Sequence, residues 1–567
     1  MKDRVNNALI TMKIIKNSMR FIILLGLLLY AFIANAQQNI YVIKFTDKNN
    51  SPYSISRPTE FLSQKAIDRR LRQHINYSTE DLPVNPLYKT SITAIGVKIR
   101  LELKWFNAIV IQTTSDKIPA LTALSFVKSI ETLGPIPSTL QATIKPFFKN
   151  ESTENPFIKK LASTSDYGPA KAQIEQVNGH LLHNMNLLGQ GMTIAVLDAG
   201  FRNFYTLAVF DSLRIKGRIK GIHDFTYMPD FMNASDDTHG TEVLSIMTGW
   251  LNNVQIGTAP NADYYLIRTE DSKSESPVEE YNWAAGAAYA DSVGADIISS
   301  SLGYYIFDPT YAVFNHTYND LNGQTTFVSR AAAKAAARGI LVVNAAGNEG
   351  TNSWKHIIAP ADADSILTIG AVNSQGVIAD FSSLGPSFDG RVKPDVAATG
   401  WGTILANPNN NSLISGSGTS FSTPLTAGLC ACLWQGNPGV TNVAIINALR
   451  YTASQSVTPD NIMGYGIANF YKAYLLLKKQ QLIPGITKPI YLISANPFHE
   501  RLELIITSPS TLGWTVDVYT IQGKLAERHI NVPPDRPIMI GNKIKSGVYI
   551  LRIISGSQIA IEKIIKN

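Results

Sequence analysis

Residues 193–197, 264–268, 296–300, 340–344 and 366–372 form short, mainly apolar runs that do not alternate with polar positions. Between several of these runs lie alanine-rich stretches with helical spacing, 282–293 and 329–338 among them. Continuous apolar strands separated by helices predict a parallel sheet buried on both faces. The fold expected for residues 167–480 is therefore α/β, a doubly wound and mainly parallel sheet with helices on both faces. In such sheets the working residues sit just beyond the carboxyl ends of strands.

On either side of this body the pattern changes. In residues 37–136, strands at 40–45 and 108–112 alternate with a charged amphipathic helix at 60–73 and a second helix at 118–124, which predicts a small open α+β sandwich. Residues 137–166 are rich in Ser, Thr, Pro, Asn and Lys and read as an exposed linker. Across 488–567, turn signals at Asn496-Pro497, Gln522-Gly523 and Ser546-Gly547 punctuate alternating strands, predicting a small β-sandwich. At the start, Lys13, Lys16 and Arg20 precede an apolar run at 21–33, and Ala34-Asn35-Ala36 supplies a small-x-small cleavage pattern. Residues 1–36 are read as an export signal, since a membrane span needs about 20 apolar residues; no transmembrane anchor is expected.

Composition narrows the partners. Of 567 residues, 45% are hydrophobic and 16% charged, which excludes general disorder. The net charge of +7 is carried by the two ends, 1–36 and 488–567, and the body between them is close to neutral. No basic field is left to attract phosphates, so no nucleic-acid partner is expected. Cys430 and Cys432 are the only cysteines, which excludes a disulfide framework and a cysteine zinc site. Two apart in a predicted helix, they point about 200° from each other and read as small buried apolar residues.

Four polar residues stand in glycine-flanked contexts at predicted strand ends or helix starts. Asp198 ends the run MTIAVLD, where a carboxylate can orient an imidazole. His239, within Asp237-Thr238-His239-Gly240-Thr241, opens an apolar-periodic helix. Asn348 ends a strand within Asn344-Ala345-Ala346-Gly347-Asn348, where its amide can donate to an oxyanion. Ser420 lies between Gly416 and Pro424 at the start of an apolar helix through Trp434. Pro424 suits that helix's first turn, and the Ser420 hydroxyl is expected to be exposed at its positive end. Singly, each has an ordinary role: a turn aspartate, a satisfied histidine, a turn asparagine, an N-capping serine.

Together, the order Asp, His, Asn, Ser is a known serine-hydrolase arrangement. Over roughly 167–475 the chain resembles the subtilisin-like serine proteases. The resemblance runs through Val196-Leu197-Asp198-Ala199-Gly200, His239-Gly240-Thr241, Gly257-Thr258-Ala259-Pro260, Ser301-Leu302-Gly303, Gly347-Asn348 and Gly418-Thr419-Ser420 with Pro424. Ala199 and Phe421-Ser422 depart from the family's usual residues without removing a catalytic atom. The resemblance implies a secreted endopeptidase in which Ser420 attacks the peptide carbonyl, His239 moves the proton, Asp198 orients His239, and Asn348 with the Ser420 N–H binds the oxyanion. Because His239 acts as a neutral base, activity should rise through the ordinary imidazole pKa of about 6.5.

The resemblance also places the substrate-binding pocket between Ser301-Leu302-Gly303 and Ala345-Ala346-Gly347, where small residues leave space for a side chain. Glu349 reads either as a rim group favouring a basic residue or as a solvated surface glutamate. No cofactor is required; the family often binds structural calcium, but no ligand cluster in the sequence assigns a metal site. Residues 37–136 are similar to a propeptide, and 488–567 resemble a type IX secretion sorting domain. The partners implied are protein or peptide substrates and the type IX secretion machinery, with the product secreted or at the cell surface by way of the periplasm. The competing reading is a catalytically minor or inactive surface-binding protein using the same fold and the terminal β-sandwich for adhesion. An esterase is disfavoured because the Gly-x-Ser-x-Gly elbow is absent around Ser420.

Overall fold

A computed structural model describes residues 37–137, 152–153, 167–226, 237–251, 254–481, 490–493, 496–507, 513–533, 537–555 and 558–567. The expected export signal over 1–36 lies outside these residues, as does most of the expected linker over 137–166. Among the described residues no helix is long and apolar enough to cross a membrane.

The N-terminal domain is a four-stranded antiparallel sheet of β1 (Gln38–Phe45), β2 (Lys98–Leu103), β3 (Ala108–Thr114) and β4 (Val127–Pro135), ordered β2-β3-β1-β4. Helices α1 (Gln64–Arg72), α2 (Pro86–Ala94) and α3 (Ile118–Thr122) connect the strands. The helix expected over 60–73 is shorter, because Ser63 caps α1 by accepting the Ala66 N–H at 3.2 Å. Pro58–Glu60 instead forms a separate 3-10 turn. Side chains alternate across the sheet as the strand period requires. Tyr41, Ile43, Ile109 and Ile111 face the domain's own helices, and Ile40, Val42, Ala108 and Val110 face the next domain.

The central domain is a seven-stranded sheet of β5 (Thr193–Asp198), β6 (Ile219–Asp224), β7 (Asp263–Arg268), β8 (Ile297–Ser300), β9 (Leu341–Ala345), β10 (Leu367–Val372) and β11 (Val396–Thr399). Their order is β11-β10-β9-β8-β5-β7-β6, and every neighbouring pair is parallel. The main helices are α4 (His239–Thr248), α5 (Val278–Val293), α6 (Phe327–Ala337) and α7 (Thr419–Gly436). Ile194 and Val196 of β5 enter the core under α4 and α7; Ala195 and Leu197 enter the opposite core under α5 and α6. Both faces are thus covered, which is why these strands read as mainly apolar, non-alternating runs. The outward core continues through α5 and α6 to the N-terminal sheet, so Val42 and Val110 share a cluster with Trp283.

Beyond β11, β12 (Trp401–Ala406) and β13 (Leu413–Ser417) form a hairpin leading into α7. Within the expected linker, Ser152–Thr153 pairs antiparallel with Gly416 and Ser415 of β13. The C-terminal region is all β. One sheet holds Ile490–Ile493, Leu502–Thr507 and Pro537–Ile540; the other holds Leu525–Val532, Trp514–Thr520, Gly547–Ser555 and Gln558–Lys566. Cys430 and Cys432 are both free and buried in α7.

A buried histidine ties this fold to pH. His183 donates from Nε2 to the Thr258 carbonyl at 3.0 Å, and its Nδ1 accepts the Tyr167 hydroxyl at 2.8 Å, an arrangement that needs a neutral ring. Burial pushes its pKa down to about 4. The unfolded chain, with an ordinary imidazole near ~6.5, binds the proton first on acidification, so stability falls as pH drops from ~6.5 through about 4. His183→Gln is expected to flatten that loss, worth about 3 kcal/mol at most, in urea midpoints measured between neutral pH and the acid limb.

Candidate active site

Asp198 is the last residue of the central strand β5 and is fully buried. Its Oδ1 accepts the Ala199 N–H at 2.8 Å and the His239 Nδ1–H at 2.7 Å. With Nδ1 committed to the carboxylate, Nε2 is the ring nitrogen turned away from Asp198. Burial raises the Asp198 carboxyl from its ordinary range, while His239 and the Ala199 N–H work in the opposite direction. His239 is the first residue of α4, and its own N–H is held by Asp237 Oδ1 at 2.8 Å. The next residue must be glycine: a side chain on Gly240 would collide with the Gly200 carbonyl and stand 2.9 Å from Phe201 Cε1. The strand-end turn after Asp198 and the start of α4 are therefore packed backbone against backbone.

Ser420 is the second residue of α7, and the following Phe421 places its ring 6.0 Å from the His239 ring, centroid to centroid. Two expectations for Ser420 are corrected. Its relative exposure is 0% in the chain that carries the N-terminal domain, because α7 runs through the middle of the core. Pro424 lies inside the helix and beyond its first turn, since α7 already starts at Thr419. The missing Pro424 N–H leaves the Ser420 carbonyl without its helical donor, and Ser301 Oγ supplies one at 2.8 Å. Ser301 thereby ties the strand end at β8 to the start of α7.

Asn348 lies in the loop three residues past β9 rather than at its end. Its Oδ1 accepts both the Thr419 N–H at 2.8 Å and the Thr419 hydroxyl at 3.0 Å, so the Nδ2 donors occupy the other branch of the amide. Thr419 Oγ1 also accepts the Gly347 N–H at 3.2 Å. Thr419 is a positioning residue that the sequence reading passed over, although it sits inside the Gly418-Thr419-Ser420 motif.

The two expected pocket walls come together. Ser300 of β8 pairs with Asn344 of β9, so Ser301-Leu302-Gly303 and Ala345-Ala346-Gly347 leave the sheet side by side, and Asn344 Nδ2 donates to the Leu302 carbonyl at 3.1 Å. The expected space between them is occupied by Ile358, whose place the sequence does not reveal. Glu349 is no solvated rim group: it is 2% exposed, and its carboxylate accepts the Tyr305 hydroxyl at 3.0 Å and an Asn352 N–H. Burial raises its pKa, with those two donors opposing.

Among the described residues, one group has metal-ligand spacing: the buried carboxylates of Glu270, Glu275 and Glu279, with ligand oxygens within 4.8 Å of one another. Glu279 accepts the Asp271 and Ser276 N–H groups at 2.8 and 3.1 Å, and Glu270 accepts the Tyr304 hydroxyl. Glu279 thereby holds the turn ahead of α5, and Glu270 braces Tyr304.

A parallel α/β sheet with an imidazole–carboxylate pair at its carboxyl edge and a serine at a neighbouring helix start has the architecture of a serine hydrolase. Residues 189–466 match the subtilase family of peptidases S8, and residues 40–146 match the peptidase S8 propeptide domain of Bacteroidota. The chain is 29% identical over 300 residues to an alkaline protease of Alkalihalobacillus alcalophilus, covering 52% of this chain and 67% of that protein. It is also 29% identical to Subtilisin Savinase of Lederbergia lenta, covering 52% of this chain and 95% of that one. Subtilisin E of Bacillus subtilis is 28% identical over 306 residues, covering 53% and 69% of the two chains. The central domain belongs to the subtilase family, and the protein is a subtilisin-like serine peptidase preceded by an S8 propeptide domain.

Proposed function

We propose that the protein is a secreted serine endopeptidase in which Ser420 Oγ attacks the substrate carbonyl and an acyl-enzyme forms. His239 Nε2 takes the Ser420 proton and delivers it to the leaving amine; water then repeats the sequence to release the acyl group. Asp198 holds His239 in the Nδ1–H tautomer and stabilises its cation. Asn348, turned by Thr419 so that Nδ2 is its outward branch, donates to the oxyanion together with the Ser420 N–H. The observation that carries this reading is the buried 2.7 Å bond from His239 Nδ1 to Asp198, beside a helix whose second residue is Ser420.

The full-length chain is proposed as a precursor. Residues 40–146 match an S8 propeptide domain, so activity should follow loss of residues 37–136. Export through the pattern at 1–36, and sorting by way of the periplasm to the cell surface or medium through the β-region at 488–567, belong to the same proposal.

An organophosphonate probe tests the nucleophile. The processed enzyme is expected to gain one adduct on the peptide containing Ser420, and Ser420→Ala none. Equal labelling of the alanine variant would remove Ser420 from the proposal.

A further inference from the structure

We infer that this peptidase is restricted to substrates with glycine or alanine immediately before the scissile bond, because Ile358 already fills the slot that a larger side chain would enter. The inference rests on the serine-peptidase reading above and concerns only which acyl residue the site accepts.

Two glycines and two alanines line the walls at 301–303 and 345–347, and by composition alone the gap between them is roomy. The chain returns to close it. The Ile358 N–H donates to the Ala346 carbonyl at 3.2 Å, which fastens it to one wall. Ala359, the next residue, exchanges both backbone bonds with Tyr304 just past the other wall, at 2.8 and 3.2 Å. Ile358 is thus pinned on both sides, and its side chain lies between the glycines. A Cβ on Gly303 would stand 2.5 Å from Ile358 Cγ1, and one on Gly347 would stand 3.0 Å from the same atom. Gly347 also has φ +113°, a backbone conformation that disfavours any side chain.

The plug is not free to swing aside. Ile358 has 0% exposure and packs against Ala345, with Tyr305 and Trp354 behind it. The Tyr305 and Trp354 rings are 4.7 Å apart, and the Tyr305 hydroxyl is fixed on buried Glu349. A β-branched side chain has few χ1 choices, and a close-packed interior does not yield a methylene's volume without strain. A single extra methylene in such a pocket changes kcat/KM by roughly 10-fold or more.

The test is a set of fluorogenic peptides, identical except for Gly, Ala, Leu, Phe or Arg before the cleaved bond, with the processed enzyme. The alanine or glycine peptide is expected to exceed leucine, phenylalanine and arginine by about 10-fold or more in kcat/KM. Ile358→Ala should raise the Phe:Ala ratio by about 10-fold or more, and the gentler Ile358→Val should move it the same way by less. A wild-type profile that is flat or favours phenylalanine overturns the inference without needing either variant, as does an unchanged ratio in folded Ile358→Ala. Ser420→Ala runs beside each peptide. A flat profile that Ser420→Ala abolishes sinks the role of Ile358 alone, whereas hydrolysis that survives Ser420→Ala sinks the assignment of Ser420 as the nucleophile.

Discussion

Ser420→Ala and His239→Ala are each expected to lower kcat by about a millionfold, and the double variant by no more than either alone. In the proposed mechanism the two groups act in one event: the hydroxyl is a poor nucleophile until Nε2 removes its proton, and the imidazole has nothing to activate once the hydroxyl is gone. The loss should appear in kcat with KM nearly unchanged, since neither side chain forms the walls at 301–303 and 345–347. Asp198→Asn should cost about 10⁴-fold through a different route. The carboxylate accepts the Nδ1 proton at 2.7 Å; an amide can present its NH₂ instead, leaving Nδ1 bare and the proton on Nε2, where it blocks base catalysis. Rates at this level require Ser420-directed titration to exclude traces of active enzyme. An additive double variant, or an Asp198→Asn enzyme within tenfold of wild type, would mean that the three groups do not work as a unit.

The parts legible in the sequence were those set by local pattern. β5, β7, β8, β9 and β10 are covered on both faces, so each announces itself as a mainly apolar, non-alternating run within a residue or two of its observed ends. β6, with the sequence IKGIHD, is an edge strand that is half exposed along its length, and its mixed composition reads as loop. α2 was missed because PLYKTSITA buries only Ile92 and carries little amphipathic signal, although Asn85 caps it by accepting the Leu87 N–H at 2.9 Å. Asp198, His239, Asn348 and Ser420 stand out as candidates through flanking glycines and turns, which are local constraints visible in one chain.

What stayed hidden depends on which distant segment fills a space. Two small-residue walls look like a pocket until Ile358, eleven residues beyond Gly347, is seen pinned to Ala346 and followed by Ala359 on Tyr304. Glu349 looks like a surface acid until Tyr305, 44 positions earlier, is seen to cap it. The Ser301–Ser420 bond depends on a proline four residues after the acceptor, a link no window of sequence displays.

Asp291→Ala is expected to destabilise the full-length precursor by about 3–5 kcal/mol. Asp291, fully buried near the end of α5, is the anion onto which the N-terminal domain plugs three cations. Arg69 reaches it at 2.5 Å, Arg70 at 2.9 Å and Lys104 at 3.0 Å. Burial by itself would raise this carboxyl, but Lys104, Arg70 and Arg69 outweigh it and hold the group well below the usual carboxylate range. Its contribution is therefore complete above the ordinary carboxylate pKa of about 3.9 and is lost progressively as pH falls from there through the depressed folded value. Removing the carboxylate strands Arg69 and Arg70 away from water with excess positive charge, partly relieved for Arg70 by Asp81 at 2.8 Å. The measurement is a urea midpoint on precursor carrying Ser420→Ala to prevent self-cleavage. Replacing Arg69 by methionine in the Asp291→Ala background should recover part of the loss, because an apolar side chain suits a site with no counter-ion. If Asp291→Ala shifts the midpoint no more than a surface substitution does, the cations are finding other partners and the domain interface does not depend on this buried cluster.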